Sequence, residues 1–120
     1  MSDIERFDRE LLKGNTTTIV LALLAERGPM HGYDLAKEMR RRGGEPLKLG
    51  QGVLYPILHR LERQGLVRGE WEPRIGSPSR KRYTITGAGL EALQRKRAEW
   101  RAFTAAMERI LEPQAEPAHG

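Results

Sequence analysis

The sequence predicts a mainly α-helical domain that carries one small β-hairpin, and two observations support this fold class. Along most of the chain, apolar residues recur at intervals of three and four, as they do on the buried side of a helix. Between positions 67 and 85 they instead alternate with charged residues, as they do in paired strands. The chain of 120 residues has room for one domain with a modest core, and no internal repeat divides it.

The N-terminal part is expected to form two helices that are separated at Gly14. The first helix, over residues 1–14, is short and amphipathic, and the glycine interrupts it. Asn15 and the threonines at 16–18 offer N-caps for a second, more apolar helix, which ends at residues 28–29. The apolar positions of the first helix are Ile4, Phe7 and Leu11.

Two further helices are expected before the hairpin. One begins near residues 31–32 and runs to the arginines at 40–42, after which two glycines and a proline predict a loop. The other, over residues 51–64, has the clearest pattern in the chain, because its apolar side chains stand at i, i+3, i+4 and i+7 and Gly65 supplies a stop. These core-facing positions are Leu54, Ile57, Leu58 and Leu61.

The alternating segments predict a two-stranded antiparallel hairpin whose strands are centred near residues 67–71 and 83–85. Residues 73–79 contain Gly, Pro and Ser and are expected to form a turn at its tip. Thr86 is a good N-cap for a last helix, which continues over residues 90–112. The polar residues 113–120 are expected to be a disordered tail.

This order of short helices followed by a hairpin is the layout of a winged helix-turn-helix. We therefore expect residues 15–89 to form a DNA-binding domain of this kind. The N-terminal helix over 1–14 and the C-terminal helix over 90–112 are expected to form contacts between two copies of the chain.

Composition and charge narrow the class of protein. The net charge of +5 indicates a polyanionic partner such as nucleic acid, unless the charges serve only solubility. The sequence has neither the roughly 20 apolar residues of a membrane span nor a signal peptide, and it has no cysteine, so we expect a cytoplasmic protein. Its three histidines lack metal-ligand spacing, and no phosphate loop is present, so no enzyme, cofactor or metal is expected.

The helix over 51–64 carries the main candidates for reading DNA bases. The side opposite its leucines presents small and polar residues instead of the usual Glu and Lys pairs. Gly52 allows the backbone to approach DNA, Gln51 at the edge suits an adenine, and Tyr55 suits a phosphate or a thymine methyl. The alternative is that Tyr55 packs under the hairpin while Gly52 and Pro56 only shape a distorted first turn. For His59 and Arg63, the alternative to a phosphate contact is plain solvation. The candidates are Gln51, Gly52, Tyr55, Pro56, His59 and Arg63.

The tip of the hairpin is basic, which suits a contact with the DNA backbone or the minor groove beside the helix. A solvated loop is the alternative interpretation. Lys48, just before the helix, is a further candidate for a phosphate contact, whereas the arginines at 40–42 are explained by the dipole of the helix that they end. The candidates at the tip are Arg74, Ser77, Arg80 and Lys81.

These segments resemble the PadR family of bacterial transcriptional regulators. The matching stretches are residues 27–33 (RGPMHGY), 52–58 (GVLYPIL) and 80–86 (RKRYTIT), and the resemblance covers about residues 11–111. It implies a dimeric regulator of the short subfamily, usually a repressor, that is released from DNA by a small molecule or another signal. It also implies that Tyr33 touches the DNA backbone. Gly50 departs from the family, which commonly has Ser or Thr there, so the capping of the next helix is in doubt.

The last helix carries an apolar stripe that extends beyond the reach of the hairpin. A second copy of the chain is the natural cover, with the N-terminal helix packed against it. Two copies would place two base-reading helices about one DNA turn apart, which predicts a palindromic operator. The predicted dimer residues on the last helix are Leu93, Trp100, Phe103, Met107 and Ile110.

Trp100 has two interpretations. Some short PadR-like regulators bind flat aromatic compounds between paired tryptophans at a comparable place, so Trp100 and Phe103 are candidates for an effector site. A tryptophan at helical spacing is otherwise interface core. The other function considered for the whole chain is a protein-interaction adaptor that uses the winged helix without DNA. It would require apolar or acidic groups where Gln51, His59 and Arg63 stand.

Overall fold

The structure is a computed structural model, and it describes residues 9–115. The predicted contact residues Ile4 and Phe7 lie outside the described part of the chain. Within residues 9–115, four helices and three strands follow one another, with a short 3-10 turn, Glu45–Leu47, before the third helix. The elements are α1 (Arg9–Arg27), β1 (Met30–His31), α2 (Gly32–Gly43), α3 (Gln51–Arg63), β2 (Val67–Arg74), β3 (Ser77–Ile85) and α4 (Gly87–Leu111).

The predicted break at Gly14 is wrong, because α1 is one continuous helix. A glycine inside a helix costs only about 1 kcal/mol relative to alanine. The expected N-caps bond backward instead: Asn15 Nδ2 donates to the carbonyl of Leu11 at 2.8 Å, and Thr16 Oγ1 donates to that of Leu12 at 2.7 Å. Both side chains therefore continue the helix that they were expected to start.

The core lies between α1, α2, α3, the start of α4 and the sheet, and the periodicity predicts the contribution of α3. Leu54, Leu58 and Leu61 of α3 are fully buried, while Ile57 is partly buried against the same cluster. The other elements meet these leucines with apolar side chains of their own. They include Val20, Leu21 and Leu24 of α1, Leu35 and Met39 of α2, and Val67 and Tyr83 of the sheet.

The sheet has three antiparallel strands in the order β1-β3-β2, one more than the predicted hairpin. The extra strand β1 has two residues, paired Met30 with Tyr83 and His31 with Arg82, and is too short to show a period in the sequence. We call β2, β3 and the turn between them the wing. Its strands reach Arg74 and Ser77, so the predicted seven-residue tip is only a two-residue turn, in which Gly76 takes a φ of 74°.

Thr86 joins the end of α3, the base of the wing and the start of α4. Its Oγ1 accepts a hydrogen bond from Gly89 N at 3.0 Å, which confirms the predicted N-cap, and donates to the carbonyl of Gly65 at 2.6 Å. Its backbone N donates to Leu66 O at 3.1 Å. A Cβ at Gly89 would overlap that carbonyl, so a glycine is needed for this close approach. Within residues 9–115, none of the helices combines the length and apolarity of a membrane span.

Candidate nucleic-acid interface

The side of α3 opposite its buried leucines is open to solvent. Gly52, Tyr55 and Pro56 are exposed near the start of the helix, and His59 and Arg63 are exposed further along. At Gly52, a Cβ would meet no atom of the described chain within 4 Å, so the backbone itself is accessible. Gly50 gives α3 no side-chain cap, as its departure from Ser or Thr predicts, and its carbonyl accepts from Val53 N and Leu54 N at 3.1 and 3.0 Å.

Gln51 lies at the edge of this face, and its amide is turned partly inward. The Oε1 atom is enclosed and has no hydrogen-bond partner among the described residues. An enclosed acceptor without a partner costs about 1–3 kcal/mol. A rotation of the side chain toward solvent or a base edge would relieve that cost, so the hypothesis that Gln51 reads a base requires this rotation.

Two tyrosines lie together at the junction of α2 and α3. The ring of Tyr55 packs on Gly32, where a Cβ would stand 3.3 Å from the ring, yet 41% of the residue is exposed. The ring of Tyr55 therefore packs on the start of α2. Tyr33 follows Gly32 directly and is 65% exposed, with Lys37 Nζ 5.8 Å from its ring centroid. The fold therefore packs Tyr55 against Gly32, the residue that precedes Tyr33 in the chain.

The wing displays Arg74, Ser77 and Arg80 to solvent, and Lys48 is exposed in front of α3. Lys81 differs, because the alternation of β3 turns it toward α3 and away from the tip. Its Nζ donates to Glu62 Oε1 at 2.8 Å and lies 5.5 Å from the ring of Trp71. Placing Lys81 with the exposed cations of the tip was therefore wrong. Next to it, burial raises the pKa of the Tyr83 phenol to about 12.

The other face of the wing is tied to β1 through Glu72, which the sequence analysis did not single out. Its Oε1 is 2.7 Å from His31 Nε2, its Oε2 pairs with Arg82, and Arg80 Nε is 3.8 Å away. The hydrogen bond from His31, together with the charges of the arginines, lowers the pKa of the Glu72 carboxyl. The alternating charges hint at such pairs, but the partners follow only from the strand register.

The arginines at the end of α2 form ion pairs with glutamates of the same chain. Arg41 donates to both carboxylate oxygens of Glu38, at 2.9 and 2.6 Å, and Arg27 donates to the same group at 2.6 Å. These two cations lower the pKa of Glu38 to about 2. Arg40 and Arg42 pair with Glu45 and Glu26 in the same way. The helix dipole was the explanation expected from the sequence for the arginines at 40–42, and the structure adds an ion pair for each of them.

Comparison with known proteins identifies the family. The sequence profile described as "Transcriptional regulator PadR-like family" matches residues 20–95, which include α2, α3 and the wing. The chain belongs to the PadR-like family. This membership confirms the resemblance read from the sequence. PadR-like proteins are transcriptional regulators and not enzymes, so the expectation that the chain is not an enzyme also stands.

Solved structures of PadR regulators share the fold. A PadR family transcriptional regulator from Eggerthella lenta DSM 2243 is 35% identical, with a TM-score of 0.78 over 88% of each chain. A transcriptional regulator from Clostridium thermocellum is 25% identical, with a TM-score of 0.80 over 88% of this chain and 99% of that one. The predicted winged helix with a small sheet is thereby confirmed.

A curated relative is also a transcriptional regulator. The transcriptional regulator Rv3488 of Mycobacterium tuberculosis is 38% identical over 68 residues. This alignment covers 57% of the present chain and 60% of that protein. The relative therefore supports the class of transcriptional regulator for the aligned part.

The C-terminal helix of this PadR-like chain leaves large apolar side chains uncovered. Trp100 is 45% and Phe103 57% exposed, and Met107 and Ile110 are also exposed. Leu93 is the exception: it is 3% exposed and packs in the chain's own core, so its prediction as a dimer contact was wrong. Ala92 and Leu93 thus face the core of their own chain, and the exposed stripe that begins at Trp100 lies beyond them.

A cavity of about 500 Å³ lies where α1 meets α4. Its walls are almost entirely apolar and include Trp100, while Asn15 and Thr18 add polar atoms. Phe103 lines a smaller recess of about 190 Å³ next to it, together with Lys96 and Glu99. The apolar walls of the larger cavity are Leu11, Leu12, Ile19, Ala22, Leu47 and Trp100.

Proposed function

We propose that the chain is a cytoplasmic repressor that binds a palindromic operator in duplex DNA as a homodimer and is released by a small aromatic molecule. The observation that carries this proposal is the open face of α3 beside a basic wing. The two surfaces lie on the elements with which winged-helix regulators enter the major groove and touch the flanking backbone.

The DNA contacts divide into two groups in this proposal. Residues at the start of α3 read base edges, because the accessible backbone at Gly52 and the side chains around it enter the groove first. Residues around them hold phosphates and set the register. The base-reading group is Gln51, Gly52, Tyr55 and Pro56, and the phosphate group is Tyr33, Lys48, His59, Arg63, Arg74, Ser77 and Arg80.

The exposed stripe on α4 supports the homodimer. Trp100, Phe103, Met107 and Ile110 recur at helical spacing and are left uncovered by their own chain. A second copy would bury the stripe against its own, with Leu11 and the N-terminal residues adding to the contact. A twofold axis between the copies would place two α3 helices on successive turns of one DNA face, so each half-site repeats the other in inverted order.

The cavity beside Trp100 supports an aromatic effector. Its volume of about 500 Å³ lies within the usual range for small-molecule sites, and its apolar lining favours a flat, apolar compound. The indole of Trp100 offers a surface for stacking. Because α1 and α4 also form the proposed dimer contact, a bound compound would change the distance between the two α3 helices. The alternative role of Trp100 is interface core alone.

Footprinting of the DNA upstream of the chain's own gene tests the proposal. We expect protection of two inverted half-sites about 10 base pairs apart, centre to centre. Binding of a single half-site would contradict the dimer, and no protection of any site would favour the adaptor function. An aromatic compound that saturates the protein should then remove the footprint, whereas a footprint that survives saturation would exclude the proposed release.

Variants of the two tyrosines test the division of contacts. Tyr55→Ala should lower affinity for the operator by about tenfold while leaving binding to unrelated DNA nearly unchanged. Tyr33→Ala should weaken both by a similar factor, since a backbone contact carries no sequence information. Unchanged affinity and specificity in Tyr55→Ala would remove this residue from the interface.

A further inference from the structure

Lys81 lies on the wing, but its charge is already used within the chain. Its ammonium is 2.8 Å from Glu62 Oε1, and only 14% of the side chain is exposed. The rings of Trp71 and Tyr83 lie 5.5 and 5.7 Å from Nζ. Because so little of the side chain is exposed, Lys81 would have to turn away from Glu62 to reach a DNA phosphate, which would leave a partly buried carboxylate without its partner.

We propose that Lys81 is a positioning residue that fixes the wing against α3 through Glu62, and that it is not itself a contact with DNA. The inference rests on the proposed function, in which α3 and the wing bind the same duplex. The angle between them then decides whether the wing tip reaches the backbone while α3 is seated in the groove.

Glu62 stands at the right place for this role. It belongs to α3 and lies directly before Arg63, one turn after His59, so it borders the open face of the helix. Only 31% of its side chain is exposed. Lys81 in turn is four residues from Ser77 at the tip. The ion pair therefore links the base-reading helix to the middle of the wing, beyond the hydrogen bonds that hold its base at Thr86.

Gly69 on β2 makes room for the pair. A Cβ at this position would lie 2.5 Å from Lys81 Cε, 3.1 Å from Glu62 Oε2 and 3.2 Å from the ring of Tyr83. The lysine stem therefore runs across the glycine, in space that any other side chain would fill. Replacing Gly69 by alanine would push the flexible lysine away from Glu62 without removing either charge.

A charge exchange separates a positioning role from a DNA contact. In Lys81→Glu, two carboxylates face each other, and we expect operator affinity to fall by about tenfold or more. The double variant Glu62→Lys with Lys81→Glu restores the pair in reverse and should return affinity to within about threefold of the wild type. A matched control is Arg74→Glu at the exposed tip, whose loss the substitution Glu62→Lys should not restore.

Gly69→Ala gives a second test that leaves the net charge unchanged. If Lys81 positions the wing, this variant binds the operator less tightly, and its affinity depends on salt as steeply as that of the wild type. If Lys81 contacts a phosphate, freeing it from Glu62 leaves affinity unchanged or raises it. A doubly exchanged variant that stays as weak as Lys81→Glu would overturn the proposal in the same way.

Hydrogen–deuterium exchange of the free protein separates this inference from the proposed function. Amides in the outer halves of β2 and β3 should exchange faster in Lys81→Glu and in Gly69→Ala, and return toward the wild-type rate in the charge exchange. Unchanged exchange in both variants would overturn the positioning role of Lys81, whatever the DNA-binding assays show. If the amides of the wing exchange as expected while the wild type binds no DNA, the positioning role stands and the proposed function fails.

Discussion

Replacing Thr86 by valine should destabilise the protein by about 2 kcal/mol, because its hydroxyl makes two hydrogen bonds, one to the end of α3 and one to the start of α4. Valine keeps the shape and removes the N-cap of α4, which is worth about 1 kcal/mol. It also removes the bond from Oγ1 to the carbonyl of Gly65, 2.6 Å in length, with a net worth of about 1 kcal/mol. Gly65 follows the end of α3, so losing this hydrogen bond weakens the connection between α3 and the base of the wing.

The assay is urea unfolding at one fixed protein concentration, which keeps any contribution of a dimer constant. A loss of about 2 kcal/mol should lower the midpoint by about 1 M urea for a domain of this size. Thr86→Ser retains the hydroxyl and should remain close to the wild type. A valine variant within about 0.5 kcal/mol of the wild type, or a serine variant as unstable as valine, would refute the reasoning.

Three further predictions concern the surface of α4 and the stability of the protein at low pH. Met107→Glu places a charge in the proposed dimer contact and should give monomers in light scattering. The control Arg109→Glu, on the opposite side of α4, should remain a dimer. A dimer that survives Met107→Glu would exclude this interface. With Trp71 replaced by phenylalanine, planar aromatic compounds should quench Trp100 fluorescence saturably; quenching that rises linearly without limit would argue against a site. Because the pKa of Glu38 is lowered to about 2, its stabilising effect is complete above pH 4.5 and is lost as pH falls toward 2. Glu38→Gln should thus be less stable than the wild type at pH 6 in urea unfolding and approach it near pH 2, and a constant difference would show that the carboxylate charge is not the cause.

Local patterns were sufficient where a single element carries its own signal. The leucines of α3 repeat over two turns and the stop at Gly65 follows them, so the helix and its open face could be predicted together. The N-cap at Thr86 could also be predicted locally, because its partner, the backbone N of Gly89, is only three residues away. The fold class follows from these elements and their order.

Features that depend on distant partners could not be predicted in this way. Gly14 is a helix breaker only when its neighbours cap a new helix, and Asn15 and Thr16 bond backward instead. Leu93 belongs to the apolar period of α4, but only the packed structure shows that its turn faces the chain's own core. Lys81 stands among basic residues near the tip, so the sequence alone does not distinguish its role from that of Arg74 or Arg80.

The strand register explains the error at Lys81. Alternation along β3 places it opposite Trp71 on the side of α3, and Glu62 is close enough to pair only once the sheet has packed. The hydrogen bond between His31 and Glu72 arises in the same way, because His31 lies on a strand of two residues that the sequence pattern does not reveal.

The most direct test of the central claim, that this PadR-like chain binds a specific operator through α3 and the wing, is a salt titration of its affinity for two DNA duplexes. One carries the footprinted site, and the other has the same bases in scrambled order. We predict that the logarithm of affinity falls linearly with the logarithm of salt for both, by about 0.9 per phosphate contact, with the operator bound at least about 1,000-fold more tightly. Equal affinity for the two duplexes, or affinity that salt does not change, would contradict the account.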